Sequence, residues 1–320
     1  MPLASGQPII AVEEHFWDTE LAASFPPGRR GTEQLTKRLY DIGVERIKGM
    51  DAAGIDVQVL SHGSPATQLL PADSAALLSR RVNDRLFAAI AAFPDRLAAF
   101  AVLPTADPLA AADELERAVG QLGFKGAMIH GLANGLFLDD PRFRPIFERA
   151  ERLAVPIYLH PSVPHPAVVE AYYKDYVEDF PTVIRAAWGF TVETATQALR
   201  LVLSGIFDAY PDLKIILGHL GETLPFLIWR IDEALARPGQ KSIRFREVFT
   251  SGFYLTTSGF FSSPALACCI EEMGVDRILF AVDYPYMENG PGVAWLRDAP
   301  LAENDRAKIA GGNAMRLLRL

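Results

Sequence analysis

The sequence predicts an α/β fold, a (β/α)8 TIM barrel, with residues 1–320 as a single domain. Three observations lead there. Eight short apolar runs recur along the chain, amphipathic helical patterns separate them, and no G-x-G-x-x-G loop of the kind a doubly wound nucleotide-binding sheet carries is present. Half of the 320 residues are hydrophobic, enough to bury a large core.

The eight runs are strand-like in length and rich in branched residues. In order they are "PIIAVEEH", "VQVLSH" (57–62), "LAAFAVL" (97–103), "KGAMIHG" (125–131), "VPIYLH" (155–160), "LKIILGH" (213–219), "FYLTTS" (253–258) and "RILFAVD" (277–283). Helices fit the stretches between them. "PADSAALLSRRVNDRLFAAIAAF" is amphipathic, and "DPLAAADELERAVGQLG" opens on a capping Asp-Pro and closes on Gly. "DPRFRPIFERAERLA", "TATQALRLVLSGIFDAYP", "TLPFLIWRIDEALA", "SPALACCIEEMG" and "LAENDRAKIAGGNAMRLL" complete the helical set. Two longer inserts break the rhythm, residues 17–50 after the first strand and 162–190 after the fifth. Long loops in a barrel cover the active-site end.

Charge and composition narrow the partners. A net charge of −8 and a pI near 5.3 leave no basic footprint for nucleic acid. No run of about 18 apolar residues points to a membrane span, and "MPLASGQP" lacks the charged and apolar regions of a secretory leader. The cysteines, Cys268 and Cys269, are neighbours whose geometry disfavours a mutual bridge. Free buried thiols suit a reducing compartment, so the expectation is a cytoplasmic protein acting on a small molecule.

The strand ends hold the chemistry. Glu13 with His15, then His62, His130, His160, His219 and Asp283, close the apolar runs, so five of the six histidines fall on the face where barrel enzymes react. Glu13 and His15 are two apart, and alternation points both into the barrel, with Glu14 turned away as a structural residue. Carboxylates and imidazoles converging on one point suit a divalent ion of the Zn²⁺ or Mn²⁺ type. An all-oxygen Mg²⁺ or Ca²⁺ cage is disfavoured by the imidazoles.

"AVEEHF", "YLHPSVP", "ILGHLGETLPFLIWR" and "ILFAVDYPY", in that order over nearly the whole chain, resemble the signatures of the amidohydrolase superfamily. The resemblance is to its branch of metal-dependent nonoxidative aromatic acid decarboxylases, such as the γ-resorcylate, 2,3-dihydroxybenzoate and 5-carboxyvanillate enzymes. It implies that Glu13, His15, His160 and Asp283 are the metal ligands and that His219 and Glu222 are catalytic groups beside them. It also implies that Arg230 partners substrate or an adjoining subunit in a homo-oligomer, a dimer or tetramer. The opening Glu-x-His, in place of the His-x-His of most superfamily hydrolases, implies one metal ion and a carboxy-lyase.

The activity so implied is decarboxylation of a hydroxylated aromatic acid. The ion orients the phenolate and carboxylate, and Asp283 carries a proton to the ring carbon. His62 is expected at the substrate, with hydrogen bonding to a loop as the alternative, and the same two roles are open to His130. Phe16, Trp17, Tyr172, Tyr173 and Trp188 are candidate walls for a flat ring, or else core or interface residues. The rival activity is a metal-dependent hydrolase of a lactone, ester or amide with Asp283 as base, and a noncatalytic metal-binding scaffold is the third reading.

Overall fold

A computed structural model describes residues 6–25, 32–238 and 241–320. Strands β1 (Ile10–Phe16), β2 (Val57–His62) and β3 (Leu97–Ala99) form one parallel sheet. A second contains β4 (Ala101–Val102), β5 (Ala127–His130), β6 (Ile157–His160), β7 (Ile215–Leu217), β8 (Phe253–Thr256) and β9 (Ile278–Leu279). β3 and β4 are two halves of one barrel strand. Phe100 N–H still donates to Leu60 O at 2.9 Å, whereas Ala101 N–H turns to Gly126 O on the other side at 2.9 Å.

The ring closes between the last strand and the first. Val12 N–H donates to Phe280 O at 3.1 Å, Asp283 N–H to Glu13 O at 3.0 Å and His15 N–H to Tyr284 O at 2.6 Å. Among the described residues the sheet therefore has no free edge, as a (β/α)8 barrel requires. The eighth run forms ladder only at Ile278–Leu279, shorter than 277–283, because Phe280 N–H leaves the sheet for Ile309 O.

Alternation along the strands sorts the core into two layers. Ile10, Val12, Val59, Phe100, Met128, Tyr158 and Ile216 fill the barrel, and Leu318 of the C-terminal helix packs with them. Ile9, Ala11, Phe16, Leu60, Ile129, Leu159 and Leu217 face outward and join the inner faces of the helices. Gly126, with φ near +140°, fits where a Cβ would lie 2.2 Å from Pro156 O. Only glycine tolerates that approach.

The helices follow the sequence signals. Ala72–Ile90 buries Ala75, Leu78, Val82 and Leu86 at helical spacing. Asp107 caps Pro108–Leu122 by accepting from the Leu109 and Ala110 N–H groups, and Gly123 ends it in the left-handed region. Helices Phe245–Gly252 and Asn289–Asp298 were not anticipated; both are short. The insert after β1 holds helices Thr19–Ala23, Glu33–Tyr40 and Val44–Ala53, and the insert after β6 holds short helical turns, among them Val169–Tyr173 and Pro181–Ile184. No helix among the described residues is long and apolar enough to cross a membrane.

Candidate metal centre and active site

β1 delivers its side chains through an irregularity. Ala11 pairs with Gln58 and Glu14 with Leu60, so three steps on β1 match two on β2, a bulge. Val12 already points into the barrel, and unbroken alternation would have sent Glu13 outward. The bulge turns both Val12 and Glu13 inward and His15 with them.

Glu13, His15, His160 and Asp283 each present one ligand atom, and these atoms lie within 4.8 Å of one another. His160 Nε2 is 3.3 Å and His15 Nε2 is 3.6 Å from Glu13 Oε1, and His15 Nε2 is 3.1 Å from Asp283 Oδ1. Among the described residues, Glu13 Oε1, His15 Nε2 and Asp283 Oδ1 are buried and make no hydrogen bond of normal geometry. Polar atoms so placed are costly unless something binds them. Two carboxylates and two imidazoles fit a Zn²⁺- or Mn²⁺-type ion, which would give all of these atoms a partner.

The surroundings aim the ligands. His160 Nδ1 lies 2.7 Å from Pro161 O, and because a carbonyl only accepts, the proton sits on Nδ1 and leaves Nε2 as the donor to a metal. His15 Nδ1 is 3.2 Å from Ser61 Oγ. Tyr158 and Ser258 hydroxyls donate to Glu13 Oε2, and Thr256 Oγ1 lies 2.8 Å from the Tyr158 hydroxyl. Gly218 leaves the room: a Cβ there would stand 3.0 Å from Glu13 Oε2 and 3.2 Å from the Tyr158 oxygen. Of these, Tyr158, Ser61, Thr256 and Ser258 carry no signal in the sequence, because a lone hydroxyl within or just after a strand has no spacing signature.

Behind the wall, Glu14 is fully buried and accepts from the Val282 N–H at 2.8 Å and the Tyr284 N–H at 3.1 Å. Burial outweighs these bonds and pushes its carboxyl up to about 8. Buried Arg46 donates to His15 O at 2.6 Å and to Gln58 Oε1 at 3.2 Å, and lies over the Tyr284 ring. The two residues on either side of Asp283 are thus tied to β1.

After β7 the chain takes a rare path. His219, Leu220, Gly221, Glu222 and Thr223 all have positive φ, between 50° and 78°, before helix Leu224–Leu235 begins. Asp283 has φ 70°. Such conformations in non-glycine residues cost energy and cluster at functional sites. The turn puts His219 Nδ1 2.8 Å from Glu222 Oε1, so Glu222 serves as a partner to His219 and not as a helix N-terminal charge.

Charge couples these groups. Burial pushes the Glu13 carboxyl up, but His219, His15 and His160 outweigh it and hold Glu13 well below the usual range. Burial likewise opposes protonation of His219 and His15, yet Glu222, Glu13 and Asp283 raise His219 to about 10, and Asp283 and Glu13 raise His15 to about 9.

Other sequence candidates lie elsewhere. Phe16 faces the outer layer, 1% exposed, so it stands behind the wall of the site instead of in it. His62 turns the same way: its ring meets Phe16 edge-on at 5.3 Å, its Nδ1 bonds Gly63 O, and its backbone carbonyl accepts from His130 Nε2 at 2.8 Å. Strand parity explains both, since Ser61 next door is the inward residue. His130 is inward, its ring 4.6 Å from that of His160. Arg230 is exposed on helix Leu224–Leu235 beside Phe226 and Trp229. Tyr286, in "DYPY", lines the mouth with its ring 5.6 Å from that of His15.

Residues 10–320 match the family described as Amidohydrolase. The chain is 42% identical over 328 residues to the γ-resorcylate decarboxylase of Rhizobium radiobacter, covering 97% of this chain and 98% of that protein. It superposes with TM-score 0.89 and 42% identity on a crystal structure of 2,6-dihydroxybenzoate decarboxylase complexed with 2,6-dihydroxybenzoate, covering 98% and 99% of the two chains. The dihydroxybenzoic acid decarboxylase of Polaromonas sp. JS666, solved with manganese and the inhibitor 2-nitroresorcinol, matches with TM-score 0.90 and 40% identity over 98% and 97% of the chains.

Proposed function

The chain belongs to the amidohydrolase family, and from that premise we propose that it is a metal-dependent carboxy-lyase that removes CO₂ from an ortho-hydroxylated benzoate, with 2,6-dihydroxybenzoate as the substrate. The observation that carries the proposal is the convergence of Glu13, His15, His160 and Asp283 in a chain matched end to end by decarboxylases of that acid. These four residues would hold one Zn²⁺ or Mn²⁺ ion. When bound, the ion acts as a Lewis acid and template for the carboxylate and the neighbouring phenolic oxygen.

The residues supply the proton. Decarboxylation breaks the bond from ring carbon to carboxyl carbon, releases CO₂ and forms a C–H bond, so each turnover consumes one proton. Asp283 carries it to the ring. A carboxylate beside a dication is a poor acid, and His219 answers that difficulty: Glu222 fixes its Nδ1–H and favours its charged form, leaving Nε2 to reload Asp283. Turnover in D₂O should place a single deuterium at the vacated ring position. A ring carboxylate left intact beside a newly cleaved ester or amide would reject the proposal for a hydrolase. His219→Asn should keep the ion and lose most turnover; loss of the ion as well would make His219 a ligand.

The molecule is proposed to work as one domain and as a homo-oligomer. Phe226 and Trp229, 82% and 68% exposed, share one helix face with Arg230, and a second copy is the partner that would cover them. Arg230 then reaches across to the neighbouring subunit. The free thiols Cys268 and Cys269 favour the cytoplasm, which fractionation of native cells tests.

A further inference from the structure

His130 ends β5 on the inward face, with its ring 4.6 Å from that of His160 and 6.5 Å from that of His15. It is not one of the four residues whose ligand atoms converge. Its Nε2 lies 2.8 Å from the carbonyl oxygen of His62, across the top of the intervening β3–β4 strand. A carbonyl can only accept, so the proton sits on Nε2. The neutral ring then exposes a lone pair at Nδ1. That Nδ1 is buried and has no hydrogen-bond partner among the described residues.

A buried acceptor beside the metal ligands needs a donor, and a ring hydroxyl is a donor that a hydroxybenzoate brings. Resting on the substrate class proposed above, we propose that His130 is a specificity-determining residue whose Nδ1 accepts a hydrogen bond from a second ring hydroxyl of the substrate. The site then favours a dihydroxylated over a monohydroxylated benzoate. His62 contributes through its backbone carbonyl, which sets the tautomer; its own ring bonds Gly63 O through Nδ1 and packs on Phe16 in the outer layer, so its unpartnered Nε2 is not beside the metal ligands as His130 Nδ1 is.

The test compares 2,6-dihydroxybenzoate with 2-fluoro-6-hydroxybenzoate, whose fluorine occupies the position without donating. Turnover of both is measured with wild type, His130→Phe and His130→Gln. Binding of 2-nitroresorcinol and 2-nitrophenol to the Mn²⁺-loaded proteins is measured alongside. Wild type should prefer the second-hydroxyl compound of each pair by about ten- to a hundredfold. His130→Phe should lose that preference through the dihydroxy compounds alone, with the mono compounds changing less than about twofold and metal content unchanged. His130→Gln, which keeps an acceptor oxygen, should recover part of it.

Equal losses on both members of a pair, or a wild type that does not distinguish them, would overturn the role of His130. The wild-type comparison decides even if the Phe variant fails to fold. Failure of the underlying reading looks different: no CO₂ from any hydroxybenzoate, while the nitrophenol pair still reports the hydroxyl preference.

Discussion

Tyr158 is not among the converging ligands, yet its hydroxyl, with that of Ser258, holds the oxygen of Glu13 that faces away from them. Oε1 is thereby left for the ion, and a carboxylate whose outer oxygen is pinned loses little freedom on binding. Tyr158→Phe keeps the ring that packs near Phe100 and removes only the donor. We expect Mn²⁺ affinity, measured by equilibrium dialysis, to fall about tenfold while the far-ultraviolet circular dichroism stays unchanged. Unchanged affinity would show that Ser258 alone suffices.

At the scale of elements, backbone geometry decides more than side-chain chemistry. Gly126 leads into β5 at a φ closed to side-chain-bearing residues, with Pro156 O in the place a Cβ would take. Gly126→Ala should cost about 3 kcal/mol, read as a lower urea midpoint at unchanged slope. Helix Thr19–Ala23 is held by Asp18, which caps it and pairs with Arg85 at 2.7 and 2.8 Å. Burial pushes the Asp18 carboxyl up, but Arg85 and the Leu21 N–H outweigh it, and the net shift is downward. A carboxyl lowered by folding stabilises the protein above its unfolded value, near 3.9, and loses that contribution as pH falls through the folded value. Asp18→Asn keeps a capping oxygen and removes the charge. Wild type should lead the variant by about 1 kcal/mol at neutral pH, and thermal melts should converge in strong acid. A gap that persists there would assign the loss to the cap.

For the whole molecule, the four residues proposed as ligands join β1, β6 and the segment after β9, so an ion at that point would tie the chain's first strand to its last. Binding to the folded state alone stabilises it by about 2.7 kcal/mol at a hundredfold excess over Kd. Chelation should therefore lower Tm, and Mn²⁺ should restore it in proportion to the logarithm of its concentration. A Tm indifferent to chelation would argue against a resident ion. Trp229→Glu places a charge on the exposed face of helix Leu224–Leu235. If this face joins two copies as proposed, sedimentation should show a smaller assembly than wild type, and turnover should fall with the contact proposed for Arg230. An unchanged assembly would remove this face from the interface.

The sequence by itself determined the eight-strand alternation, because burial of parallel strands on both faces forces continuous apolar runs that helical periodicity interrupts. Polar residues ending apolar strands stand out against their surroundings, which marked Glu13, His15, His62, His130, His160, His219 and Asp283. The resemblance of the motifs singled out Glu13, His15, His160 and Asp283 among them, and these four side chains lie together in the fold. What the tertiary structure decided was direction. Alternation already paired Glu13 with His15 and turned Glu14 away, but that Glu13 faces the interior alongside its neighbour Val12 rests on one bulge in β1, set by pairing with β2 and invisible in the residue order. His62 and His130 look alike as strand-end histidines, yet the parity of their strands turns the first to the outer layer with Phe16 and the second toward His160. The hydroxyls of Tyr158 and Ser258 on Glu13, and of Ser61 on His15, come from three segments far apart in the chain and reach β1 only through the tertiary fold. Contacts made by closure have no local period, so no window along the sequence contains them.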